Sequence, residues 1–169
     1  ASGDVNNWQL VEAAAQTGKP LIVSTGAASH NEVTAAIRVL EQSAAGGYAL
    51  MHCVSLYPTL NNKANISRIA QIASLIPQAS DVPLGFSDHS EGTSAAFAAV
   101  AVGAQIIEKH FTLDKSLPGP DQKMSSDPAE IASLRQQIDL AWSIRGNAAN
   151  ADCHNEELAS DYYGKRSIY

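Results

Sequence analysis

Short apolar runs alternate with stretches of helical periodicity along this chain, and that alternation constrains the fold more than any other feature. The runs lie at Pro20–Ser24, around Tyr48–Val54, around Pro83–Ser87 and around Gln105–His110. They are dense in Ile, Leu, Val and Ala, as strands buried on both faces of a parallel sheet are. Between them, "SHNEVTAAIRVL" opens with the Ser29 and Glu32 spacing of a capping box, and its Val33, Ala36, Ile37 and Leu40 share one face. "NNWQLVEAAAQTG" stops at Gly18, a good residue to end a helix. "NISRIAQIASLI" groups Ile66, Ile69, Ala73 and Ile76, and the small-residue "GTSAAFAAVAVGA" predicts a short, tightly packed helix. The last helix has Asp127 as cap, Pro128 at its first position and Glu130 to complete the box. Its stripe is Ile131, Leu134, Ile138, Ala141 and Trp142, and Gly146 ends it.

The order α-βα-βα-βα-βα requires parallel strands joined by right-handed crossovers. An α/β fold of four parallel strands, each followed by a helix, suits half of a TIM-type (β/α)8 barrel or a small open sheet. The expected unit is 1–146. Residues 147–169 turn polar and irregular and read as a linker or tail. The chain of 169 residues opens on "ASGD" without Met, which suggests processing, excision or truncation. Its net charge of -6 and lack of a Lys/Arg stripe argue against nucleic acid as a partner. No apolar run reaches membrane-spanning length. Cys53 and Cys153, far apart, read as free thiols in a reducing compartment, hence a cytoplasmic location.

In barrels and open α/β sheets the chemistry sits at the carboxyl ends of the strands. Here those ends read "STG", "HCVSLYP", "SDHSEG" and "EKHFTLD". Two adjacent runs therefore each finish on a histidine, His89 and His110. Neighbouring strands lie about 4.8 Å apart, so both imidazoles can reach one divalent ion. Asp88, Glu108, Asp114 and Asp121 are nearby carboxylates that can orient a ligand or bind water. The alternative is a pair of buried, hydrogen-bonded histidines. Ser24 and Thr25, before Gly26 at a strand-to-helix turn, offer a hydroxyl and free amides to a phosphate or carboxylate, or form an ordinary turn. Cys53 reads as a packed thiol rather than a nucleophile. Tyr57-Pro58 and "LPGPD" are loop edges that can border a site or simply connect elements.

Taken together, "SGD", "KPLIVSTG", "HCVSLYPT", "GFSDHSEG", "GAQIIEKHFTLDKSLPGPDQKMS" and "KRSIY" resemble the sialic acid synthase (N-acetylneuraminate synthase) family, in family order and over nearly the whole chain. The resemblance implies the last four βα units of that family's barrel, leading towards a carboxy-terminal antifreeze-like domain. It implies a transferase of carbohydrate biosynthesis that condenses phosphoenolpyruvate with an amino-sugar aldehyde of the N-acetylmannosamine type, giving a nine-carbon 2-keto sugar acid and phosphate. It further implies a divalent cofactor, usually Mn2+, on His89 and His110. Ser2, Ser24 and Ser87 fall where the family holds the phosphate and carboxylate, and Ser55, Tyr57 and Asp121 where it meets the acceptor or the reacting centre. A homo-oligomer, minimally a dimer, is expected. Asp4 stands where Glu is common, Ser55 where Asn is often found, and Gln122 where His is frequent.

Overall fold

The computed structural model describes residues 2–146; the predicted tail 147–169 lies outside them. A single turn at Ser2–Asp4 leads into α1 (Trp8–Ala15), followed by β1 (Leu21–Ser24), α2 (His30–Ser43), β2 (Tyr48–Cys53), α3 (Arg68–Ala73), β3 (Leu84–Asp88), α4 (Ser94–Ala101), β4 (Ile106–Lys109) and α5 (Pro128–Arg145). The four strands are parallel and ordered β1-β2-β3-β4. A doubly wound sheet reverses its strand order at a switch point; this one does not. The sheet winds in one direction with its helices on one face, which is half of a (β/α)8 barrel rather than a small open sheet.

Both predicted capping boxes form. Glu32 accepts from the Ser29 amide at 2.8 Å while Ser29 Oγ accepts from the Glu32 amide, and Asp127 and Glu130 do the same at the head of α5. The third helix is shorter than its periodicity suggests. Asn65 takes a positive φ of 47° and breaks the segment, so α3 starts only at Arg68. It buries Ile69 and Ile72, while Ala73 faces solvent. In α5 only Leu134 and Ala141 are fully buried, and Trp142 lies exposed beneath Arg145.

The strand period of two assigns the faces. Leu21, Val23, Leu50, Leu84, Phe86 and Ile107 point outward and pack under the helices in two apolar clusters. The central strands β2 and β3 are buried almost throughout, as expected, whereas the edge strands β1 and β4 are not. Ile22, on the inward face of β1, is 62% exposed. Among the described residues no helix is long and apolar enough to cross a membrane.

Two open edges and an uncovered inner face drive association. The 169-residue chain by itself should sediment as a dimer or larger. Ile22→Lys should shift it towards monomer by placing a charge on the uncovered face. A monomer at all accessible concentrations would refute this.

Candidate active site

The register of the sheet brings the polar residues together. Cys53 pairs with Ser87, Ser87 with Glu108, and Ser24 with Met51, two residues before Cys53 on the same face. Ser24, Cys53, Ser87 and Glu108 therefore form one inward-facing row, one residue from each strand. At one end of the row Ser2 Oγ lies 2.9 Å from Ser24 Oγ and 3.1 Å from Cys53 Sγ, and Ser24 Oγ is also 3.1 Å from Cys53 Sγ. Gly26 forms the floor of this cluster. A Cβ there would lie 2.4 Å from Cys53 Sγ and 2.7 Å from both Ser2 Oγ and Ser55 Oγ. Ser2, Ser55 and Cys53 thus converge around one glycine, and Ser24 joins them through Ser2 and Cys53. Thr25 is turned away, its hydroxyl and amide both spent on the Met51 carbonyl.

At the other end of the row stand the histidines. Strand β3 runs to Asp88 and β4 stops at Lys109, so His89 and His110 are each the first residue past a strand. Their ring centroids are 5.3 Å apart and nearly perpendicular. His89 Nδ1 lies 2.7 Å from the Val54 carbonyl, which only accepts, so Nδ1 carries the proton and Nε2 the lone pair. Ser87 Oγ sits 3.4 Å from that Nε2, but its one proton goes to Glu108 Oε1 at 2.6 Å. The His89 Nε2 lone pair therefore has no donor to receive from among these groups. His110 turns Nδ1 towards Asp121 Oδ2 at 3.6 Å, an electrostatic contact longer than a hydrogen bond.

Tyr57 packs on the His89 ring at 4.2 Å between centroids and meets the His110 ring edge-on at 5.8 Å. Partial burial, then the nearby Cys53, Asp121 and Glu108, hold its phenol above the usual tyrosine range. Asp121 is delivered by the "LPGPD" loop. That loop is tied down by the Thr112–Gln122 hydrogen bond and by Lys115 on Glu130 at 2.6 Å, inside the capping box of α5.

Two carboxylates singled out in the sequence are not at the histidines. Asp88 points to the outer face, where Lys109 Nζ binds it at 3.0 Å, because it follows inward Ser87 by one residue. Asp114 is spent on the Ser116 amide and hydroxyl of its own turn. Cys53 and Gly26, in turn, belong to the serine cluster rather than to mere packing. The alternation of inward and outward positions along β2 was the signal that could have found Cys53. Among the described residues no three His, Cys, Asp or Glu side chains gather in metal-ligating geometry. The donor set is two imidazoles, one with an unused lone pair, and it fits a divalent ion completed by oxygen ligands from water or substrate.

Known proteins agree with this architecture. The sequence profile of the NeuB family matches residues 1–150, and the chain belongs to that family. An uncharacterised protein of Methanocaldococcus jannaschii is 41% identical over 173 residues, covering 99% of this chain and 50% of the relative. The N,N'-diacetyllegionaminic acid synthase of Legionella pneumophila is 36% identical, covering 92% of this chain and 44% of that enzyme. The crystal structure of the N-acetylneuraminic acid synthetase of Leptospira borgpetersenii in complex with citrate superposes with a TM-score of 0.85 at 36% identity, covering 97% of this chain and 56% of that one. The chain thus spans about half the length of the curated relatives it matches.

Gly26→Ala should push Ser2, Ser55 and Cys53 aside. Phosphate binding, followed by the amide signals of residues 24–27, should weaken about tenfold, since losing one hydrogen bond of roughly 1.4 kcal/mol is a factor of ten. Unchanged phosphate shifts would remove the anion assignment. His89→Ala and His110→Ala should each weaken Mn2+ binding by calorimetry beyond the roughly 10–100-fold typical of losing an orienting partner. Wild-type affinity in either variant would end the pairing.

Proposed function

We propose that this chain forms the metal- and phosphate-binding half of a sialic acid synthase-type active site. The reaction condenses phosphoenolpyruvate with an N-acetylhexosamine-type aldehyde. A carbon–carbon bond forms between C3 of phosphoenolpyruvate and the aldehyde carbon. Water adds at C2, and the C2–O bond breaks to release phosphate. The observation that carries this reading is the single inward row. It groups Ser2, Ser55 and Cys53 about Gly26, with Ser24 bonded to Ser2 and Cys53, beside two imidazoles whose ring centroids lie 5.3 Å apart just past β3 and β4, and this grouping supports an anion beside a metal.

Each residue has a task in this reading. Ser2 and Ser24 donate to the phosphate or carboxylate of phosphoenolpyruvate, and Ser87, held by Glu108, lies between that anion and His89. Ser55 faces the same floor. The Val54 carbonyl holds His89 in the tautomer that offers Nε2. In this reading Asp121, next to His110, accepts a proton from an acceptor-sugar hydroxyl or water, with Tyr57 donating beside it. The chemistry that a divalent ion, Mn2+ by resemblance, supplies at His89 and His110 is Lewis-acid polarisation of the aldehyde oxygen. A buried reduced thiol such as Cys53 suits the cytoplasm. The names of the relatives, synthases for sialic-type acids, support the class of acceptor without selecting among its branches.

The test is direct. The 169-residue chain should bind phosphoenolpyruvate, seen by 31P shifts, and Ser24→Ala should abolish this. By itself it should release little phosphate from phosphoenolpyruvate and N-acetylmannosamine with Mn2+, because it spans about half the length of the relatives it matches. Adding the amino-terminal half of a family member should restore turnover. Failure both to bind phosphoenolpyruvate and to be complemented would overturn the proposal, and turnover by the chain alone would overturn the division of labour.

A further inference from the structure

Directly beneath the two histidines, on the opposite face of the sheet, lies a polar cluster with no part in the chemistry above. Asp88 and Lys109 are partners across β3 and β4, and each immediately precedes one of the histidines. Their side chains are almost wholly buried, at 0% and 3% exposure, with Nζ–Oδ2 at 3.0 Å. Asp88 Oδ1 accepts from the Ser90 amide at 2.8 Å and from its hydroxyl at 2.6 Å. Lys109 Nζ reaches past Asp88 to donate to the Ser90 carbonyl as well. One ammonium on β4 therefore grips the residues on both sides of His89, while His89 itself points to the other face.

The backbone around the cluster is anchored from two further directions. The Thr59 amide donates to the His89 carbonyl at 2.9 Å, and the Ser126 amide to the His110 carbonyl at 2.8 Å. These fix His89 to the loop after β2 and His110 to the end of the loop that leads into α5. Among the described residues, Lys109 is the side chain that ties the end of β4 directly to the turn carrying His89. A buried ion pair is a poor device for stability, since apolar side chains of the same size often serve as well or better. What this pair supplies is a directional, cross-strand constraint one residue from each imidazole. We infer that the Asp88–Lys109–Ser90 clasp sets the separation and aim of His89 and His110, and so acts as a positioning element for metal binding; this rests on the metal reading proposed above.

The test uses the chain with Mn2+ as probe. Lys109→Met alone would strand a buried carboxylate, so the double variant Asp88→Asn, Lys109→Met is the primary one. It should fold, yet bind Mn2+ about 10–100-fold more weakly, as loss of a partner that orients metal ligands does. Phosphate binding at Ser24 should persist, which shows that the sheet is intact. Val33→Ala, a destabilising change under α2 remote from the site, should lower the melting temperature without altering Mn2+ affinity. A folded double variant with wild-type affinity overturns the clasp. If the double variant does not fold, Asp88→Asn, Lys109→Gln decides, since it keeps polar side chains in the pocket but removes the ion pair and the reach to the Ser90 carbonyl: weakening of roughly tenfold or more supports the clasp, and unchanged affinity overturns it. Absence of Mn2+ binding by the unsubstituted chain is a different failure, visible before any variant is made, and removes the metal reading together with the clasp.

Discussion

The histidine end of this site depends on the register between β3 and β4. Ser87 opposes Glu108 on the inner face, and Asp88 opposes Lys109 on the outer face. Side chains alternate with a period of two, so a slip of β4 by one residue would turn Lys109 into the barrel interior, away from Asp88, and Glu108 out, away from Ser87. The apolar outward positions, Leu84, Phe86 and Ile107, oppose such a slip because they fill the space beneath the helices. The chemistry is thus held in register by hydrophobic burial on the opposite side of the same strands.

A parallel sheet also explains the division of the site into two ends. Adjacent strands in a barrel are staggered, and here Ser24 is level with Met51 while Cys53 is level with Ser87 and Glu108. The cluster of Ser2, Ser24, Cys53 and Ser55 therefore sits by β1 and β2, and the imidazoles by β3 and β4. Gly26 lets the first turn approach Cys53 and Ser55 at a distance that any side chain would forbid. The loops after β2 and β4 supply what the strands cannot, namely Tyr57 on the His89 ring and Asp121 beside His110.

Much of this was legible in the chain itself. The alternation of apolar runs and helical stripes specifies parallel βα units, because burial on both faces and a 3.6-residue period leave little else to build. Both capping boxes were readable from three-residue spacings, since a cap is a local interaction. The short third helix was not: the backbone of Asn65 departs from the helical region where the apolar period gives no warning. Likewise Asp88 looked like a companion of His89, its neighbour in sequence, although adjacent residues at a strand end point to opposite faces.

By itself the sequence determined the class of fold and the residue types at the strand ends, because both follow from local periodicity and from motifs a few residues long. Only the tertiary structure decided which of those groups meet. Cys53 joined Ser2 and Ser24, 51 and 29 residues away, and the Val54 carbonyl chose the tautomer of His89, 35 residues away. Such pairings are set by strand order and stagger, and these exist only once the helices have closed over one face of the sheet.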